Sequence, residues 1–280
     1  MFETHPGTRR TPRTSLEWCA YYAANAVAAN VPWTSTRLTD DERRAIAASV
    51  QEFQLGESSE GRHLHAAARA YAARTGDHAY VSAIEAFIRE EQRHARDLGR
   101  FLTTEGIPLT RESWPDVVFR WLRRGADLET TVSVLMTAEI IAQVYYAALH
   151  DATQSPALRA LCDRILTDEA EHVRFQAERL AMLREGRGRV AVALAVAAQR
   201  LLFAGATLVV WRGHRRALLR GGFSFRQYWE QCWQRFGDAA AMMEPLVATH
   251  AVRVRRQRFI DVRRSRHRPR AAARLLRPPS

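Results

Sequence analysis

The sequence contains no lysine: all 42 of its basic residues are arginine. Without a lysine amine there is no Schiff-base chemistry and no phosphate-cradling P-loop lysine, which excludes pyridoxal enzymes and Walker-type ATPases. Cysteine is nearly as scarce. Cys19, Cys162 and Cys232 are an odd number without metal-ligand spacing, so neither a disulfide framework nor a thiolate metal site is expected. That usage points to a reducing cytoplasm, and the N-terminus has no apolar signal-peptide core. Alternating β-branched runs are also nearly absent. With 47% hydrophobic residues in 280, the chain can bury an ample core, and it reads as all-α.

Negative charge is nearly missing from the C-terminal end. Residues 253–280 hold 11 Arg against Asp261 alone. Residues 1–14 add three Arg against one Glu, leaving 28 Arg and 28 acids for the rest, so the net charge of +12 resides in the ends. The arginine tail suits phosphates on RNA or anionic lipid headgroups, and equally a solvated extension in an arginine-rich composition.

What is present centres on Ile84–Leu102. Apolar residues recur there with helical periodicity at 84, 87/88, 98 and 101/102, and the two intervening slots are filled by Glu91 and His94. Two such groups inside an apolar stripe cost several kcal/mol unless something buried receives them. Three residues apart, they leave the helix on one face. The pattern repeats at Glu169 and His172, on the stripe Leu158, Leu161, Ile165, Phe175/Gln176 and Leu180. Two more helices carry one Glu where the stripe calls for an apolar residue: Glu139 between Leu135 and Ala142, and Glu60 between Phe53 and Leu64.

The order Glu, Glu-x-x-His, Glu, Glu-x-x-His is that of a four-helix bundle with a dinuclear carboxylate centre in its core. Glu60 and Glu91 are equidistant from the turn signal Thr75-Gly76-Asp77, and Glu139 and Glu169 from the one near Thr153-Gln154-Ser155-Pro156. Antiparallel hairpins therefore place all four carboxylates in one layer. Four carboxylates and two neutral imidazoles carry a charge that two divalent metals cancel, and mixed hard oxygen and nitrogen donors suit iron or manganese. Glu57 competes with Glu60, but its equidistant partner is His94, a poorer match. His63 and His65 read as supporting or surface groups.

On these six positions the chain resembles the ferritin-like di-iron superfamily, which includes rubrerythrins, fatty-acid desaturases, aldehyde-deformylating oxygenases and tRNA-modifying hydroxylases. The resemblance covers roughly residues 40–184. It implies two iron ions, or a mixed Mn/Fe pair, held by Glu60, Glu91, His94, Glu139, Glu169 and His172, with Glu91 and Glu169 bridging. It further implies O2 as partner, an external electron donor and an apolar or lipid-like small-molecule substrate. The expected function is thus that of a di-iron oxidoreductase performing oxygenation, desaturation or oxidative cleavage. A ferroxidase or iron-handling role, or a tRNA hydroxylase, are the alternatives. Peroxide reductases of the rubrerythrin kind carry a further Glu where this chain has Ala142. One turn after Glu139 stands Gln143, in a position where oxygenases of this superfamily often keep a polar residue; it is the candidate for orienting bound water or peroxide, or equally an amide hydrogen-bonded to a neighbouring helix.

Around this bundle the chain divides as follows. Residues 1–14 read as a disordered basic lead, Ser15–Asn30 as a short covering helix, and 185–252 as a C-terminal helical extension. A capping box at Thr39–Glu42 opens a helix running to about 74, with Gly56 and Gly61 marking a bend near Glu60. Helices are expected over about 77–104, 127–151 and 156–184, with a crossover at 105–126 that includes a short helix near Pro115–Arg124. Val190–Trp211 is 22 largely apolar residues, long enough to span a bilayer. Gln199 and Arg200 at its centre oppose spanning, since an arginine there costs roughly 2.5–3.5 kcal/mol. A fifth helix packed on the bundle is the expectation, with association to a membrane through one face as the other reading. Together with the aromatic stretch 223–250 it is expected to wall an apolar tunnel or form a homodimer interface.

Overall fold

A computed structural model describes residues 12–26, 31–33, 37–58, 61–110 and 127–243. These form eight α-helices, and no strand occurs among the described residues. They are α1 (Ser15–Asn25), α2 (Asp40–Glu57), α3 (Arg62–Thr75), α4 (His78–Thr104), α5 (Leu128–Asp151), α6 (Pro156–Arg184), α7 (Arg189–Arg220) and α8 (225–243).

Sequence-local capping sets most of the boundaries. Thr14 with Glu17 and Thr39 with Glu42 form reciprocal capping boxes that open α1 and α2. Asp77, Asp127 and Ser155 accept from the third backbone N–H of α4, α5 and α6, and Pro156 occupies the first position of α6, where its missing N–H costs nothing. Glu42 does two jobs: its second carboxylate oxygen accepts from Gln154 N at 2.6 Å, tying the start of α2 to the α5–α6 turn.

α2 and α3 together form the first long rod of the bundle and return as α4; α5 and α6 form the second hairpin, and α4 meets α6 across the core. The first rod is not continuous. Glu57 ends α2, and α3 opens from Gly61, whose φ of 61° lies in the left-handed region. A Cβ there would overlap the Ile88 side chain on α4, so glycine serves both the turn and the close approach. The single helix expected over 40–74 is therefore two.

α1 lies along α4 and α6. Trp18 donates its indole N–H to Glu178 at 2.9 Å, and Arg179 reaches Ser15, Tyr71 and Asp77 while its guanidinium covers the Tyr80 ring at 3.6 Å. The lead expected to be disordered up to residue 14 is held at its end: Arg13 pairs with Glu171 at 2.6 Å, and Thr14 caps α1. Residues 1–11, the short helix expected near Pro115–Arg124 and the tail 253–280 lie outside the described residues.

α7 packs one face onto α5 and α2 through Gln199, Phe203, Ala206, Thr207, Val210, His214 and Leu218. Gln199, the polar residue at the middle of the apolar run, is 3% exposed and accepts from Arg184 at 2.9 Å. The end of α7 docks so closely on α5 that a Cβ on Gly221 would fall on the Ala148 backbone. α8 folds back along α7, with Phe203 meeting Trp233 and Phe236 at centroid separations of 5.1 and 4.7 Å.

A candidate dinuclear metal centre

Four helices converge on two overlapping sets of donor atoms. One set is Glu57, Glu91, His94 and Glu169; the other is Glu91, Glu139, Glu169 and His172. Within each, one donor atom from every residue lies within 4.8 Å of the rest. Glu91 and Glu169 are common to both. Glu57 from α2 and His94 from α4 complete one, and Glu139 from α5 and His172 from α6 complete the other.

The donor set is buried and unsatisfied. Glu169 and His172 are fully buried, and His94 is 2% exposed. Glu91 Oε1, both carboxylate oxygens of Glu169, and the Nδ1 atoms of His94 and His172 have no hydrogen-bond partner. They nevertheless crowd together: His172 Nδ1 lies 3.0 Å from Glu91 Oε1 and 3.4 Å from Glu169 Oε2, and His94 Nδ1 lies 3.7 Å from Glu169 Oε1. Five orphaned polar atoms at one point would cost on the order of 1–3 kcal/mol each, more for the charged ones. Burial and the neighbouring carboxylates Glu139 and Glu57 push the Glu91 carboxyl well above its usual range, and burial with Glu139 and Glu91 does the same to Glu169. For His172 burial favours the neutral ring, but the carboxylates of Glu91 and Glu169 overcome it and raise the imidazole. Two divalent cations resolve all of this at once, matching four carboxylates in charge and the orphaned oxygens and nitrogens in donor chemistry.

Behind the donors stands a second layer with near two-fold symmetry. His94 Nε2 faces Asp168 Oδ2 at 3.0 Å, and His172 Nε2 faces Glu90 Oε2 at 2.9 Å. Each carboxylate immediately before one helix's donor Glu thus holds the other helix's histidine. That contact fixes the tautomer with the proton on Nε2 and leaves Nδ1 free to ligate. Burial opposes ionisation of Asp168 and Glu90, but hydrogen bonds outweigh it and hold both below their ordinary values. For Asp168 they come from His94 and Asn25, with Arg164 nearby; for Glu90 the main donor is His172, with Arg93 beside it. Arg93 bridges Glu90 and Asp168 at 2.8 Å each, Arg164 reaches Asp168 at 2.9 Å, and both guanidiniums donate to the Asn25 carbonyl. The covering helix, to which the sequence assigned no chemistry, ends in the residue that closes this network. Asn25 Nδ2 donates to Glu90 and Asp168 at 2.7 and 2.8 Å.

The outer donors are held as well. Tyr146 donates to Glu57 at 2.8 Å, and Gln176 donates to Glu139 at 3.1 Å. Gln143 is buried, but its amide is committed elsewhere. Its NH2 donates to the Glu169 backbone carbonyl at 3.0 Å, and its oxygen accepts from Arg235 of α8 at 2.7 Å. The expected role in orienting water or peroxide is therefore not visible in its contacts, which brace the backbone of α6. Glu60 lies outside the described residues, and the donor seen from the first rod is Glu57. His65 pairs with Glu85 and His63 is exposed, both away from the donors.

If Nε2 is anchored and Nδ1 thereby held for ligation, Asp168→Asn and Glu90→Gln should each weaken metal binding by about 10–100-fold while leaving the helical content unchanged. Competitive titration with a chelator reads the first quantity and far-ultraviolet circular dichroism the second. Unchanged affinity in both variants would remove the second layer from the site.

The bundle and its centre define a ferritin-like helical fold. The backbone is similar to solved structures of an R2-like ligand-binding oxidase with an aerobically reconstituted Mn/Fe cofactor. One, a long-soak form, aligns with a TM-score of 0.63 at 15% identity, covering 86% of this chain and 98% of the other. Two point mutants of that oxidase align with TM-scores of 0.58 and 0.56 at 14% identity, covering 86% and 82% of this chain and 99% and 94% of theirs. No protein-family model matches the sequence, and no curated protein matches it. At such identities the likeness establishes the fold.

Proposed function

We propose that this chain is a dimetal oxidoreductase that uses O2 to oxidise an apolar substrate. The observation that carries the reading is the convergence of five unpartnered, buried donor atoms from Glu91, His94, Glu169 and His172, flanked by Glu57 and Glu139. Two iron ions, or one manganese and one iron, fit these donors, and similar structures hold a Mn/Fe pair. When bound, such a pair supplies two metal-centred one-electron oxidations through which O2 can be reduced, with an external donor returning the electrons.

The chain's own residues supply binding, orientation and exclusion of water. Glu91 and Glu169, common to both donor sets, would contribute to both metal positions, with Glu57 and His94 completing one and Glu139 and His172 the other. Asp168 and Glu90 accept from the Nε2 atoms and keep the two imidazoles aimed. Tyr146 fixes Glu57 by donating its hydroxyl proton, and burial pushes that hydroxyl well above its usual range, so it stays protonated as a donor. Phe87 packs edge-on against His172 at 4.8 Å, and Tyr22 lies 6.2 Å from the same ring. This apolar wall suits an apolar substrate. A storage or ferroxidase role would use the same donors, but the described helices α7 and α8 add a layer beyond the four-helix core.

Anaerobic loading with Fe(II) followed by exposure to O2 tests the reading. The loaded chain should develop ferric absorbance faster than iron in buffer, and Glu91→Ala should not. Oxidation no faster than the buffer control would overturn it. A 24-subunit particle on sizing would favour iron storage, and co-purified RNA released by salt would favour a tRNA hydroxylase.

A further inference from the structure

α7 presents two faces of opposite kind. Its inner face is packed on α5 and α2, yet of its most apolar 18-residue window only 22% is buried. The outer face carries Val190, Leu194, Leu201 and Leu208 at 74%, 66%, 76% and 49% exposure. The three leucines recur every seven residues, so they form one stripe, with Ala197, Ala198 and Gly205 exposed between them. Alongside runs an open groove of about 610 Å³ between α7 and α8. It is lined by Ala193, Val196, Ala197, Leu201, Ala204 and Trp233, with Arg200 its only charged group. A contiguous apolar strip of this length on a surface marks an interaction site.

The charge around the strip selects the partner. From Gly186 to Trp229 there is no acidic residue, and there are eight arginines. One turn beyond Leu208 the same face continues as Arg212 and Arg215, both exposed, with Arg216 beside them; Arg189 and Arg200 flank the other end and the middle. An apolar stripe rimmed by guanidiniums complements a surface whose interior is hydrocarbon and whose edge is anionic phosphate. A second copy of the chain complements it poorly, because a two-fold interface sets the patch against itself and brings arginine to arginine along α7, which has no acid of its own. A bilayer-spanning arrangement is also disfavoured, since the inner face is committed to the bundle through Gln199, Thr207 and His214.

We propose that the outer face of α7 docks the protein on an anionic membrane surface. The helix lies in the plane of the interface, its leucine stripe among the acyl chains and Arg200, Arg212 and Arg215 at the phosphates. The groove beside Trp233 accepts part of an acyl chain, with Arg200 at its rim for the headgroup. This docking does not depend on the oxidative chemistry.

The test uses the full chain and vesicles of phosphatidylcholine, with and without about one third phosphatidylglycerol, in co-sedimentation. Leu194 and Leu201 are exposed, so the pair Leu194→Gln and Leu201→Gln leaves the core intact, and the arginine tail is unchanged in that variant. The wild-type chain should sediment with the anionic vesicles and not the neutral ones. The leucine pair should lower the bound fraction about tenfold, and Arg212→Gln with Arg215→Gln should lower both binding and its salt sensitivity. Retention of binding by the leucine pair would assign it to the tail and overturn the proposal. So would equal binding to neutral vesicles, or a dimer in sedimentation equilibrium that the leucine pair disperses.

Discussion

Alanine at Glu91 or Glu169 is expected to strip the chain of both metal ions, whereas alanine at His94 or His172 leaves one. The distinction follows from the overlap of the two donor sets: the two glutamates belong to both, and each histidine to one. Removing a shared carboxylate takes a negative ligand from both positions and leaves two cations closer in charge than the site can balance. Removing one histidine leaves its own position with three carboxylates and the other position complete. Metal content after anaerobic Fe(II) loading and desalting should therefore fall from about two per chain to near zero in the first pair and to about one in the second. The same substitutions should act oppositely on the metal-free fold. Glu169→Ala removes two unpartnered buried oxygens, so the metal-free variant should be more stable than the metal-free parent by on the order of 1–3 kcal/mol. A variant that loses both metal and stability would mean that Glu169 supports the bundle directly. Glu57→Ala and Glu60→Ala extend the series: loss of one ion in the first and none in the second places the first rod's ligand at Glu57.

Five of these candidate donors were legible because they break a rule. Glu91, His94, Glu139, Glu169 and His172 sit where the apolar stripe of a long amphipathic helix calls for leucine or isoleucine, and local periodicity is sufficient to locate such positions. Helix boundaries with capping signals were legible for the same local reason: Thr39, Asp77 and Ser155 begin α2, α4 and α6 where the sequence indicates. Glu57 was harder, because its height depends on the break between α2 and α3. A left-handed Gly61 packed on Ile88 resets the register, and only the partner helix reveals that. Glu90 and Asp168 were not singled out in the sequence. Their signal was present, since both Glu-x-x-His triplets are preceded by an acid, but assigning it needs to know that each acid serves the opposite helix. Asn25 offers no local signal at all; its contacts with residues 65 and 143 positions away are made by packing. The inward and outward faces of α7 were ambiguous for a related reason, as an apolar helix alone does not say which of its sides the bundle covers.

The metal-free protein should lose stability as pH rises from about 5 to 8, and the metal-loaded protein should not. Three groups drive this. The carboxyls of Glu91 and Glu169 and the imidazole of His172 all bind protons more tightly in the folded chain than in the unfolded one. A group raised on folding contributes stability that is complete below its unfolded value and is lost as pH rises through its folded value, because the native state then gives up protons it had held more tightly. Glu90 and Asp168 are shifted the other way, so they contribute above their unfolded values and fail only in more acidic solution. Between about pH 5 and 8 the first three therefore set the slope. For a chain of this size about 1 kcal/mol corresponds to roughly 2–4 °C, so a fall in melting temperature of about 5 °C or more across that range is expected for the metal-free form. Metal replaces the protons: the donors are deprotonated in the complex, and binding strengthens as pH rises. The loaded protein should accordingly melt higher at pH 8 than at pH 5, and the two melting curves should diverge with pH. Parallel pH profiles with and without Fe(II) would show that the cation does not occupy the place of those protons.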